Sequence, residues 1–405
     1  MKRQFLIFTL VVASLILCNS LFEKYFFSSM VFNDGSLLNK NQISSQKLFD
    51  KSIEIIKHNY YDPNLNGQDL DKWKKRYRDK IKTDEDVDVA INSILESLDD
   101  PYSKYLDKHD YAEQNTSINS KITGVGVNIA SIGGKVVIIN VIEGTPAQKA
   151  GLKDGDIIMK IDDKDATGLK PSQVAALVRG EENTKVTLTI SRDKKNITKT
   201  IIRKDIKIKN VKSKTEGDIG YIQILSFIGS TTYNEFLEAL ANTEKTKGLI
   251  IDLRGNSGGL LPNAVYMANL FINKGNIVSI VGRNGYKKKI KAQDLKYQVK
   301  KPIVLLIDEN SASASEIFSG ALKDYGKATI IGTKSFGKGM VQRIIPMPNE
   351  TGINLTIAKY LTPNDTDINK KGIEPDIKVT LNKNSKEDIQ LKAAKTLVET
   401  MIKNN

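Results

Sequence analysis

Cysteine occurs once in this 405-residue chain, as Cys18, and histidine twice, as His58 and His109. A lone cysteine forms no intramolecular disulfide, and its place inside an apolar N-terminal run argues against a thiolate nucleophile. Two histidines, with no HExxH pair and no Cys/His cluster, leave no zinc site to be expected. Both fall in a stretch of helical periodicity, where a solvated position or a minor packing role suits them. Internal repeats and low-complexity tracts are lacking too. Acidic residues are in deficit, 47 against 61 basic ones, for a formal charge of +14. The lysines are scattered, the densest cluster being Lys287, Lys288, Lys289 and Lys291, so no nucleic-acid interface is expected. A basic surface also suits a neighbourhood of anionic lipid or cell wall. With 40% hydrophobic and 27% charged residues the composition is that of a soluble globular protein, long enough for more than one domain.

One long uncharged stretch is present. No charge comes after Lys2 and Arg3 until Glu23, and residues 4–22 are rich in Leu, Ile, Val and Phe, marginally enough to span a bilayer. The two basic residues would keep the N-terminus in the cytoplasm and place the rest of the chain outside. A cleaved signal peptide is the competing reading, but no A-x-A-like site comes after the run, and Leu17 is too large for a lipobox before Cys18. The expectation is a signal anchor over residues 1–22 and a tether over 23–42, hence a single-pass cell-membrane protein with its folded part outside.

Residues 43–115 read as a helical module. Phe49, Ile53, Ile56 and Tyr60 share one helix face, Leu70, Trp73, Tyr77 and Ile81 another, and Thr83 with Asp86 forms a capping-box pattern before a third amphipathic run. From Thr123 the period shortens to that of strands. GVGVNIA and KVVIINVI flank a turn at Gly133 and Gly134, short helices are expected at Pro146 and over Pro171–Val178, and Val186, Leu188 and Ile190 make the last clear strand of a unit ending near Arg203. Beyond Gly217, strands (YIQI, GLIIDL, NIVSIV, PIVLLID, ATIIG) alternate with helices, which argues for an α/β domain with a mainly parallel sheet. A last amphipathic helix spans residues 386–402. The chain is thus of the multi-domain α/β class.

Gly- and Ser-rich segments at 254–260, 311–316 and 332–339 each come directly after an apolar strand of the last domain. Loops at strand C-termini are where α/β sheets place their chemistry. The segment SASASEI can be a Ser-rich helix cap, or it can present a nucleophile where free helix N–H groups would hold an oxyanion. A serine needs a base, and neither histidine is well placed. Lysine serves if desolvation lowers its pKa from about 10.4. Lys338, between Gly337 and Gly339 in an otherwise apolar stretch, suits a lysine turned inward.

SASASEIFSGALKDYG with GTKSFGKGMVQ after it resembles the carboxyl-terminal processing peptidases, Ser-Lys proteases of bacteria and plastids. LDDPYSKYL, GVGV, GTPAQKAGLKDGDIIMKID, DLRGNSGG and KGIEPDI fall in that family's order, over residues 45–380. The resemblance implies a PDZ-like domain over 118–203, a protease core of crotonase/Clp-protease-like fold over 204–384 and a C-terminal helix over 385–405. It implies Ser313 as nucleophile, Lys338 as general base and Gln342 as the residue orienting that lysine. The oxyanion hole would combine the backbone N–H of Ala314 with that of Gly258 or Gly259. Ser257 stands where the family usually has proline, which alters loop stiffness and removes no donor. A PDZ domain takes a peptide C-terminus as an added strand, its carboxylate held by the loop Gly124, Val125, Gly126 and Val127. Arg179 would sense that carboxylate or simply lie exposed.

The expected function is extracytoplasmic endoproteolysis of polypeptides near exposed C-termini, with the PDZ domain recruiting substrate and gating activity, without metal or cofactor, and with a homodimer admitted by the resemblance. A catalytically silent PDZ scaffold is the alternative. An acyl-CoA-dependent crotonase-like enzyme is a further rival, for which no coenzyme A site is legible. GTKSFGKG is nearly a P-loop, but Gly339 replaces the Ser or Thr that would hold magnesium and a strand comes next; Gly124-Val125-Gly126 lacks the third glycine of a dinucleotide loop.

Overall fold

A computed structural model describes residues 42–404 apart from 119–121, 207–208, 296 and 382–386. The expected anchor at residues 4–22, Cys18 and nearly all of the tether lie outside the described residues. Among the described residues no helix is long and apolar enough to cross a membrane.

The N-terminal part comprises α1 (Ser45–Asn59), α2 (Leu70–Tyr77), α3 (Asp84–Glu96), β1 (Lys104–Leu106) and α4 (Lys108–Ile118). Asp69 caps α2 by accepting the Asp71 and Lys72 amides, and Thr83 and Asp86 form the anticipated capping box on α3. Leu48, Phe49, Ile53 and Ile56 of α1 are buried against Val87, Ile91 and Ile94 of α3.

Residues 116–208 form a separate compact unit. It contains β2 (Ile122–Gly124), β3 (Val127–Ile132), β4 (Lys135–Val141), α5 (Pro146–Lys149), β5 (Ile157–Ile161), β6 (Lys164–Asp165), α6 (Pro171–Val178), β7 (Lys185–Arg192), β8 (Lys195–Ile202) and β9 (Lys204–Ile206). The sheet runs β3-β4-β5-β7-β8, with β6 on β5, and β2 pairs with β9. Two features were not legible in the sequence. β8 reads KNITKTII, mostly exposed, its lysines and threonines interrupting the apolar signal. Pairing of β2 with β9 also carries the unit to Ile206, past the boundary expected near Arg203.

The rest of the chain gives β10 (Val211–Glu216), β11 (Ile219–Ile224), α7 (Thr232–Asn242), β12 (Gly248–Asp252), α8 (Leu261–Asn269), β13 (Asn276–Gly282), β14 (Lys287–Lys291), β15 (Ile303–Ile307), α9 (Ala314–Asp324), β16 (Thr329–Gly332), β17 (Met340–Pro346), β18 (Gly352–Leu361), β19 (Ile377–Lys378) and α10 (Ile389–Lys403). One sheet runs β10-β11-β12-β15-β16-β19, parallel throughout except for β10 against β11. Its central strands β12 and β15 are buried at every residue because helices cover both faces: α7, α8 and α9 on one, α10 on the other.

Two expectations are corrected. NIVSIV, read as part of the parallel sheet, is β13 of a second, antiparallel sheet ordered β1-β18-β13-β14 with β17 on β18. A tight turn at Arg283–Gly285 leads it into β14, and a parallel neighbour would need a long crossover. Residues 43–115 are not a module of their own either. Their core is continuous with Ile345, Met347, Ile353 and Leu355 of β17 and β18, and β1 pairs with β18 at Tyr105 and Ile353. Three helices bury too little surface alone, and the antiparallel sheet supplies the missing wall. The same holds for α10, whose Ala394 and Val398 pack on Ile250 and Val304 while its cap residue Asp388 pairs with Arg254 at 2.8 Å. The described residues from 42 to 115 and from 209 onward therefore form one compact unit.

Candidate active site

Because β12, β15 and β16 run parallel, the Gly- and Ser-rich segments at their C-terminal ends emerge at one edge of the sheet. The serines of SASAS are distinguished by their bonds. Ser311 Oγ donates to the Leu253 carbonyl and Ser315 Oγ to the Asn256 carbonyl, each at 2.8 Å and each buried. These two tie the start of α9 to the 253–259 loop. Ser313, between them, is partly exposed, and its hydroxyl is not engaged in this way. Its backbone sits at φ 55°, ψ −114°, outside the helical and extended regions. Such a conformation costs on the order of 1–3 kcal/mol in a residue with a side chain and persists only where the surroundings over-determine it.

Glu316 supplies much of that determination. It is fully buried, and its two carboxylate oxygens accept four hydrogen bonds. Oε2 accepts the amides of Ser313 (2.8 Å) and Lys338 (2.9 Å); Oε1 accepts Ser335 Oγ (2.6 Å) and the Gly337 amide (2.7 Å). The nucleophile candidate and the base candidate thus hang by their backbones from one oxygen atom. Burial pushes the Glu316 carboxyl above its ordinary range, against the pull of these four donors. Tyr360 Oη lies against the carbonyls of both residues, 3.0 Å from that of Ser313, its one proton shared between them.

Lys338 is half-buried, with Nζ 4.7 Å from the centroid of the Tyr102 ring. Burial lowers its pKa, and the nearby Asp100 carboxylate acts in the opposite sense without reversing the shift. Asp100 accepts Ser103 Oγ at 2.6 Å and the Tyr102 amide at 3.0 Å, and Ser103 Oγ accepts the Thr356 amide at 2.9 Å. Gln342 joins this group: its Nε2 donates to Thr356 Oγ1 at 3.4 Å, and it does not bond Lys338. It therefore lies near the base without orienting it in this conformation.

Gly258 lies against Ser313 and Gly259 against Phe227 and Ile228, with left-handed φ values of 104° and 145°. A Cβ on Gly258 would stand 2.8 Å from Ser313 Cβ, and one on Gly259 would meet the Phe227 carbonyl carbon at 2.4 Å, so both positions require glycine. The Gly258 amide is spent on Asn256 Oδ1 at 2.9 Å. The amides of Gly259 and Ala314 carry no such bond among the described residues, Ala314 being the first residue of α9.

His58 and His109 are exposed on α1 and α4, where the sequence places them. Asp107, His109 and Asp110 bring ligand atoms within 4.8 Å of one another, but two of the three are exposed and Asp110 is paired with Lys104. Nothing further marks that cluster as a metal site.

In the other unit, Gly124, Val125, Gly126, Val127 and Arg179 line one cleft of about 220 Å³, walled by Ile142, Ile158 and Val178. β3 is the edge of its sheet, paired only with β4 among the described residues, and α6 lies across from it. An extended chain laid along β3 would complete the sheet.

Sequence reasoning missed Tyr360 and gave no role to Glu316, Asp100 or Tyr102, although the quoted segments SASASEI and LDDPYSKYL contain them. Glu316 had a signal, since Ser-x-x-Glu at a helix start is a capping pattern. In the fold its carboxylate accepts the cap amide and also reaches the next loop. Tyr360 had none, being one of the alternating inward residues of a strand.

Residues 218–379 match the model of peptidase family S41, residues 123–202 that of the PDZ domain and residues 44–88 that of the tricorn protease C1 domain. The chain is 36% identical to the carboxy-terminal processing protease CtpA of Bacillus subtilis, over 94% of this chain and 78% of that one. It is 41% identical to a carboxy-terminal-processing protease of Bartonella bacilliformis, over 72% and 69%. Among solved structures, a photosystem II D1 C-terminal processing protease is similar with a TM-score of 0.58 at 29% identity, covering 84% of this chain and 94% of that one. With the family model lying over the loops that carry Ser313 and Lys338, and relatives alike along most of their length, the chain belongs to the carboxy-terminal processing proteases, serine peptidases of family S41 that carry a PDZ domain.

Proposed function

We propose that this protein is an endopeptidase that cleaves polypeptides near their C-termini with Ser313 as nucleophile and Lys338 as general base. The observation that carries the reading is the sharing of Glu316 Oε2 by the Ser313 and Lys338 amides, which sets the two loops side by side. Lys338, whose pKa burial lowers, takes the Ser313 hydroxyl proton in its neutral form as Oγ attacks the scissile carbonyl. The amides of Ala314 and Gly259 stabilise the oxyanion. The lysine ammonium then protonates the leaving amine, and Lys338, neutral again, activates the water that releases the acyl group. Gln342 steadies the base from the Thr356 side once substrate is bound. Export by the apolar run at residues 4–22, behind Lys2 and Arg3, fits this activity outside the cytoplasmic membrane.

The pH profile tests the base. Because the neutral amine is the active form, kcat/KM rises with pH along one ionisation whose midpoint lies below the ordinary lysine value of about 10.4. Asp100 favours the ammonium, so Asp100→Asn moves this limb to lower pH. His58→Ala and His109→Ala leave it in place. A limb that disappears in either histidine variant, or that stays put in Asp100→Asn, contradicts the assignment of Lys338.

The PDZ cleft supports recruitment of substrate by a free C-terminus. Measured by fluorescence anisotropy on full-length Ser313→Ala, a peptide with a free α-carboxylate and an apolar last residue should bind about tenfold or more tightly than its C-terminal amide. That difference corresponds to roughly one charge-assisted hydrogen bond. Equal affinities would remove the cleft from the reading.

A further inference from the structure

Tyr360 stands at the end of β18 and is buried, 2% exposed. Its hydroxyl stands within hydrogen-bond distance of both carbonyls, 3.0 Å from that of Ser313 and nearer to that of Lys338, so that its one proton is shared between them, mainly toward Lys338. Its own amide donates to the Gly339 carbonyl at 2.9 Å. Glu316 holds the amides of the same two residues from the opposite side. We infer that the Tyr360 hydroxyl is a positioning group for the reaction, fixing the separation of Ser313 and Lys338 by tying their carbonyls together. The inference rests on the Ser313–Lys338 reading above.

The two residues differ in how much they need the tie. The Ser313 carbonyl also accepts the amides of Glu316 (2.8 Å) and Ile317 (3.0 Å), so the first turn of α9 holds it in any case. At Lys338 the amide is held by Glu316, but no helix turn backs its carbonyl. The residue sits between Gly337 and Gly339, which lie against the backbone of residues 369–372, and its segment is not part of a helix or strand. A lysine free to swing there would leave the half-buried pocket, and its ammonium would regain water. Tyr360, seated in the antiparallel sheet, adds at the carbonyl the hold that Glu316 exerts at the amide. Burial raises its phenol pKa well above the ordinary value, so the hydroxyl keeps its proton and remains a donor throughout the working pH range. It therefore positions the dyad and exchanges no proton with substrate.

Tyr360→Phe in the full-length protein removes the hydroxyl and keeps the ring. With activity expressed per folded molecule from near-ultraviolet circular dichroism, kcat should fall roughly ten- to hundredfold, the range expected for misplacing a catalytic group by a fraction of an ångström to one ångström. KM should stay within about twofold, because substrate contacts are intact. The basic limb of the pH profile should also move toward the ordinary lysine value, because a loosened Lys338 is better solvated. Tyr233→Phe, at another buried tyrosine of the same core, should change neither quantity. Wild-type kcat and an unmoved midpoint in folded Tyr360→Phe overturn the inference. So does a loss of activity that only tracks the unfolded fraction with the midpoint unchanged. Ser313→Ala and Lys338→Ala, run alongside, separate the two levels. Activity in either defeats the dyad itself, whereas inactive dyad variants beside an unaffected Tyr360→Phe defeat the positioning role alone.

Discussion

Ser313→Ala and Lys338→Ala should each lower kcat/KM by about four orders of magnitude or more, with the double variant no worse than either single one. Members of one catalytic unit show this non-additivity, because removing the nucleophile leaves the base nothing to deprotonate. Lys338→Arg should be as inactive as the alanine variant, since guanidinium keeps its proton at any working pH. Loss of fold is not the cause. The Ser313 side chain makes none of the bonds that tie the α9 start to its neighbours; those belong to Ser311 and Ser315. Lys338 goes further, for its pKa is lowered in the fold. The unfolded chain holds a proton that the folded state gives up. Stability therefore rises with pH between the folded and unfolded lysine values, and below that window the buried ammonium is a net cost. Lys338→Met should accordingly raise the thermal midpoint at neutral pH while abolishing activity, and the gain should shrink as pH approaches the ordinary lysine value. Substantial cleavage by any purified Ser313 or Lys338 variant would end the dyad assignment.

The parts of this fold legible in the sequence are those governed by local periodicity. Helix α1 showed its buried face, α3 its capping box and the central parallel strands their uninterrupted apolar runs, because each signal is written within about fifteen residues. The features that were not legible depend on partners far away in the chain. That β13 leaves the parallel sheet is decided by pairing with β18, some eighty residues on. That the helices before residue 115 share a core with β17 and β18 is decided by Ile345 and Ile353, nothing in whose neighbourhood names the partner. The site shows the same division. Ser313, Lys338 and Gln342 lie in segments whose motifs are local, and the resemblance points to them. Asp100 and Tyr102 lie in the quoted LDDPYSKYL, whose sequence does not say that it reaches Lys338, and Tyr360 comes to the site only through tertiary packing. Glu316 is intermediate. Its spacing from Ser313 announces a cap, and only the structure places Gly337 and Lys338 on the same carboxylate.

Glu316→Gln should cost at least about a hundredfold in kcat while leaving the protein folded, although the residue touches no substrate. The carboxylate meets one hydroxyl and three amides, all of them donors. A glutamine side chain offers one acceptor oxygen and an NH2 group that can only donate. At least one of Ser313, Lys338, Gly337 and Ser335 would then face a donor, and its loop would move. The opposite sides of the link carry the nucleophile and the base, so a shift in either spoils their geometry. Glu316→Ala should do more damage to the fold, because it leaves four donors without their acceptor. At roughly 1 kcal/mol or more each, the loss is on the order of 4 kcal/mol. The pH dependence has a definite sign. Burial raises the Glu316 pKa, so ionising it costs more in the folded chain than in the unfolded one. That cost is absent below the ordinary carboxyl range and appears in full as pH passes the raised folded value. Glu316→Gln avoids it, so the thermal midpoint of wild type relative to this variant should decline with rising pH across that interval. The catalytic advantage of wild type should persist above it, where the ionised carboxylate accepts all four bonds. Thermal unfolding from pH 4 to 8, paired with kcat per folded molecule, reads both effects. A Glu316→Gln enzyme with wild-type kcat would show that the two loops keep their register without this bridge, and that the strained Ser313 backbone is held by something else.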